Sequence, residues 1–105
     1  MENCVKFLEE GRELVALLSG EIDHHLARWQ REEIDKMIFL KRPECLVLDF
    51  SQVKFMDSSG IGLIIGRAEL ASGVGVSVRL VGLSPSQKKL IRLSGIEKIK
   101  NLTIE

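Results

Sequence analysis

Tyrosine is absent from the 105 residues, and the aromatic set is one Trp and four Phe. A surface that stacks bases or sugars needs more flat rings than that. An excess of charge is missing too, because 15 Lys plus Arg balance 15 Asp plus Glu. Neutralising a phosphate backbone requires a basic surplus, so the composition excludes a general nucleic-acid binder and suits a protein partner. Only two cysteines occur, Cys4 and Cys45, with no C-x-x-C and no Cys/His spacing suited to zinc. Each lies in an apolar run, CVKF or CLVLDF, where cysteine behaves as a small hydrophobe. No apolar run approaches the ~20 residues of a membrane span. MENCVKFLEEG has no basic segment leading into an apolar one, so it does not read as a signal peptide. These gaps describe a soluble, reduced, cytoplasmic domain with no metal, no cofactor, no membrane contact and no direct nucleic-acid contact.

What is present suffices for one core. The chain has the length of a single domain, 1–105, and apolar residues make up 45% of it. Cys4 to Leu8 and Leu14 to Leu18 are short apolar runs. Glu9-Glu10-Gly11 separates them and Ser19-Gly20 closes the second, so they read as a hairpin. Asp23 then stands as an N-cap before Leu26, Trp29, Ile34, Met37 and Ile38, which recur at near-helical spacing. Arg28, Gln30, Arg31, Glu32 and Lys36 fall mostly between them, and Pro43 ends the helix. Cys45 to Phe50 reads as a central strand covered on both faces. Ile61 to Ala71 reads as a helix with Gly73 as its C-cap, and Val76 to Val81 as a strand. Ser84-Pro85 starts a helix that stops at Gly95, and a turn and a short strand, LTIE, finish the chain. The order is β-β-α-β-α-β-α-β. Alternating strands and helices imply a mostly parallel, mixed α/β sheet packed with three to four helices, the opening hairpin adding an antiparallel edge.

Between the central strand and the next helix lies FMDSSGIGLIIGR, Phe55 to Arg67, which sets Asp57, Ser58 and Ser59 at a strand–helix joint. Sites form at this end of the strands in α/β sheets. Four readings compete. Asp57 or Ser58 is a helix cap, which most such pairs are. A nucleotide loop is weak, since glycines 60, 62 and 66 give G-x-G-x-x-x-G and no G-K-[ST] follows. Gly62 and Gly66, at i and i+4, instead suggest a small-residue stripe against the sheet or a partner, and Gly60 keeps bulk away from the serines. A hydrolase elbow lacks its first Gly. Its only bases of the right kind, His24 and His25, are adjacent and point about 100° apart, which also rules them out as an i, i+4 metal couple. The fourth reading is a phosphorylation switch, because a helix N-terminus favours added negative charge. Phe55, Met56, Ile61 and Leu63 would surround an exposed docking patch, and a phosphate there would oppose docking by desolvation and by repulsion from Asp23 and Asp57.

GEIDHH (Gly20 to His25), LVLDFSQVKFMDSSGIGLIIGR (Leu46 to Arg67) and LVGLSPSQKKLIRLSGIEKI (Leu80 to Ile99), in that order, resemble the anti-sigma factor antagonists of the STAS domain family. Within it they are most similar to the sporulation type. The resemblance covers essentially the whole chain. It implies a STAS-type single domain that is not an enzyme and takes part in partner switching. The unmodified form binds an anti-sigma factor that is also a serine kinase, and so frees the sigma factor. Phosphorylation weakens that binding, and a PP2C-type serine phosphatase reverses it. On this chain the resemblance implies Ser58 as phosphate acceptor and Asp23, Asp57, Ser59, Gly60 and Ile61 as partner-binding residues. It also implies a closing helix after the last strand, which here is short or missing because Glu105 follows that strand directly. A general-stress paralogue, a small serine hydrolase and a nucleotide-binding module remain as alternatives.

Overall fold

The computed structural model describes residues 4–105 and contains five strands, three α-helices and one 3-10 turn. They run β1 (Val5–Glu10), β2 (Glu13–Ile22), α1 (His24–Lys41), β3 (Cys45–Met56), α2 (Ser58–Gly73), β4 (Ser77–Val81), α3 (Pro85–Ser94), the 3-10 turn Ile96–Lys98, and β5 (Leu102–Ile104). This is the α/β order expected. One sheet holds all five strands in chain order, β1-β2-β3-β4-β5. β1 pairs antiparallel with β2, and every later pair is parallel.

The strand period of two sorts the side chains. Leu14, Ala16 and Leu18 of β2 join Leu46, Leu48 and Phe50 of β3 and Val78 and Leu80 of β4 in one buried cluster. Leu26, Ile34 and Ile38 of α1, Ile61, Leu63, Ile64, Ala68 and Ala71 of α2, and Ile91 of α3 belong to the same cluster. The opposite face of the sheet is polar in places. There Arg79 forms a bidentate pair with Glu13 at 2.8 and 2.9 Å and reaches Glu105 at 3.0 Å.

Several boundaries differ from the sequence reading. β2 does not stop at Ser19-Gly20 but runs to Ile22. Gly20 has φ +90°, and the β2–β3 register shifts between Leu17 and Ser19 and again between Gly20 and Glu21, so the glycine bends the strand without ending it. β3 continues through Ser51, Gln52 and Lys54, whose exposed side chains hide the strand from a hydrophobicity pattern. α2 starts three residues earlier than Ile61, at Ser58, and Val74 rather than Gly73 occupies its C-cap.

Gln30 also departs from its expected place on the solvated face of α1. It is fully buried, and its Nε2 donates to the Cys4 carbonyl at 2.9 Å and the Ser19 carbonyl at 3.5 Å, tying α1 to the β1–β2 ribbon. Cys4 and Cys45 are free thiols and half-buried.

Candidate functional site

β2 and β3 end at the same level, with Ile22 opposite Met56, and the Asp57 amide donates to the Ile22 carbonyl at 3.3 Å. Each strand hands over to a helix through an aspartate. Asp23 caps α1, accepting the Leu26 amide at 2.9 Å, and Asp57 caps α2, accepting the Ser59 amide at 2.7 Å. The extra residues in β3 at the register shifts make up its greater length, so the two caps arrive together. Two helix N-termini and two carboxylates thus meet at one joint.

Ser58 is the first residue of α2 and is exposed. Asp57 and Ser59 on either side of it are half-buried, and Asp23 is exposed. The Leu26 amide holds the Asp23 carboxyl below the usual range; burial opposes this, and the His25 amide and charge assist it. The joint thus places the Asp23 and Asp57 carboxylates at the same level as the exposed Ser58 hydroxyl.

Gly60 and Ile61 lie beneath that joint and are buried. A Cβ on Gly60 would stand 2.8 Å from the Met56 Sδ and 3.1 Å from its Cβ, so any side chain there would crowd the last residue of β3. The absent side chain lets α2 fold back over Met56. The apolar patch foreseen around the joint is smaller than expected. Phe55 is 55% exposed, whereas Met56, Ile61 and Leu63 are buried core residues. Nor do Gly62 and Gly66 pack against the sheet, for a Cβ on either would meet nothing within 4 Å. They face open space, and Gly62 lines a groove between α1 and α2 together with His24, Arg28, Arg31, Ser59 and Leu63. The sequence carried no sign of this groove, because its walls come from two helices.

His24 and His25 are both exposed, their rings 5.9 Å apart edge to face. Among the described residues neither is hydrogen-bonded to Ser58, and no group of three or more His, Cys, Asp or Glu is placed to hold a metal. No helix among them is long and apolar enough to cross a membrane.

The sequence profile of the STAS domain matches residues 7–104. The anti-sigma F factor antagonist of Paenibacillus polymyxa is 37% identical over 86 residues, which is 82% of this chain and 74% of that protein. The protein of the same name from Lysinibacillus sphaericus is 35% identical over 86 residues, 81% of this chain and 74% of that one. The anti-sigma factor antagonist SpoIIAA in its unphosphorylated form superposes with a TM-score of 0.73 at 27% identity, covering 96% of this chain and 87% of that one. The phosphorylated form of the Bacillus cell fate determinant SpoIIAA superposes with the same TM-score, 0.73, at 29% identity, covering 96% and 90%.

Proposed function

This chain belongs to the STAS domain family, and on that premise we propose that it is an anti-sigma factor antagonist switched by phosphorylation of Ser58. The unmodified form docks on a kinase-type anti-sigma factor in the cytoplasm and releases the sigma factor, in the service of sporulation transcription. The observation that carries the reading is the placement of Ser58. It is an exposed hydroxyl on the first residue of α2, at a joint ringed by Asp23 and Asp57, in a chain 37% identical to an anti-sigma F factor antagonist.

The phosphoryl transfer needs little from this chain. The Ser58 Oγ attacks the γ-phosphorus of ATP, the bond from that phosphorus to the β–γ bridging oxygen breaks, and ADP leaves. The hydroxyl proton passes to a base of the kinase, which also supplies metal and nucleotide site. A PP2C-type serine phosphatase restores the hydroxyl by hydrolysis. The product carries about −1.5 to −2 charges at neutral pH. At the N-terminus of α2 that charge is favourable for the fold, because the positive end of the helix dipole attracts it. In an interface that already holds Asp23 and Asp57 it is unfavourable, through repulsion and lost solvation. The switch therefore acts on docking and leaves the fold intact.

Incubation with the kinase-type anti-sigma factor and ATP is expected to add one phosphate, located at Ser58 by mass spectrometry of the peptides. Ser58→Ala is expected to dock and resist modification, and Ser58→Asp to dock at least about tenfold more weakly, the loss of roughly one charged contact. Modification at Ser59 instead, or equal affinity of Ser58→Asp and the parent, contradicts the proposal.

A further inference from the structure

The groove beside the joint differs from it in charge. It has a volume of about 440 Å³ and takes its α1 wall from His24, Ala27, Arg28 and Arg31 and its α2 wall from Ser59, Gly62 and Leu63. No acidic side chain lines it. Arg31 is exposed and has no ion pair within 4 Å among the described residues, its charge being felt by Asp35, which already faces Arg67, and Arg28 has only Glu32, at 3.7 Å, in a pair whose side chains are 71% and 55% exposed. Such a pair holds its arginine weakly. The floor at Gly62 is open, with room for a Cβ that the sequence leaves unused, although glycine inside a helix is unfavourable. Packing of the chain on itself does not call for that glycine, which leaves room for a segment approaching from outside.

We propose that this groove receives an acidic segment of the anti-sigma partner, its carboxylates on Arg28 and Arg31 and its main chain passing over Gly62. The inference rests on the proposed function and deepens it. Guanidinium groups match carboxylates in a two-pronged geometry. Joint and groove together make the docking face dipolar, negative at Asp23 and Asp57 and positive along α1. A partner can satisfy both only in one orientation, and complementary charge of this kind sets register and association rate. A protein segment fits better than a nucleotide, because the single His24 imidazole is the only ring on the groove's lining and no Phe, Tyr or Trp stands there to hold a base.

The test uses the full chain, labelled with nitrogen-15, in low salt. Titration with a hexaglutamate peptide is expected to move the Gly62 and Gly66 amides, and Arg28→Gln/Arg31→Gln is expected to abolish that movement. The same double variant is expected to bind the anti-sigma factor about tenfold more weakly, with a shallower dependence on salt. Gly62→Gln, which keeps both arginines and fills the floor, is expected to weaken binding as well. All three positions are exposed, so thermal melting should show each variant folded. Binding by both variants at parent affinity overturns the inference, as does ATP moving the groove amides where hexaglutamate does not. If the parent ignores the anti-sigma factor yet binds hexaglutamate at Gly62, the proposed function falls and the acidic preference of the groove stands.

Discussion

Asp23 shows how much one carboxylate decides at the joint. Its folded-state pKa is lowered, chiefly by the Leu26 amide, from an ordinary value of 3.8. A lowered carboxyl contributes stability that is complete above the unfolded value and is lost as pH falls through the folded one. Asp23→Asn keeps an oxygen on the Leu26 amide but cannot titrate, so the variant is expected to melt with a flatter acid limb. Asp23→Ala loses the cap and is expected to melt lower than the parent at pH 7, with the gap closing in strong acid. Melting curves between pH 7 and pH 2 check both, and a gap that stays constant through acid would show that the carboxylate is not what stabilises the turn. The same residue was legible in the sequence, because capping is a local code: a short polar side chain immediately before an apolar helical repeat.

α2 tests how far such codes reach. Its glycines look alike in sequence and differ in space. Gly60→Ala drives a Cβ into Met56 and is expected to cost about 1–3 kcal/mol, whereas Gly62→Ala meets nothing and is expected to gain up to about 1 kcal/mol. Urea unfolding of the two variants decides it; losses of equal size would mean that Gly62 is packed after all. The stripe expected against the sheet turned out to be an open wall, because spacing along a helix says which residues share a face and not what that face meets. α1 and α3 were easier. Asp23 and Pro43 bracket the first, and the second starts with Ser84 and Pro85, a capping box with Gln87, and stops at Gly95 with φ +77°. β3 was harder beyond Phe50, since register shifts interrupt its alternation and its polar stretch is exposed.

At the scale of the molecule the two helices that build the site are joined by charge. Arg67 of α2 has a 6% exposed side chain and approaches Asp35 of α1 at 2.7 Å, short in distance but not aligned as a hydrogen bond. Burial raises the Asp35 carboxyl and lowers the Arg67 guanidinium, with their mutual attraction opposing both shifts. Here the sign is the reverse of Asp23. A raised carboxyl gives stability that is fully present below its unfolded value and is lost as pH rises through the folded one. Asp35→Ala leaves a buried cation unpaired and is expected to cost about 3 kcal/mol, less to the extent that Asp35 is itself partly solvated. Asp35→Leu with Arg67→Met removes both charges and is expected to recover most of that loss. A double-mutant cycle by urea unfolding checks the coupling, and additive losses would mean that the two side chains do not interact.

The strand order that follows chain order has a consequence for synthesis. As the polypeptide leaves the ribosome, each new strand finds its neighbour already made, and none has to be inserted between two others. Ser58, its flanking acids and both walls of the basic cleft belong to the elements through α2, so all of them precede β4, α3 and β5 along the chain.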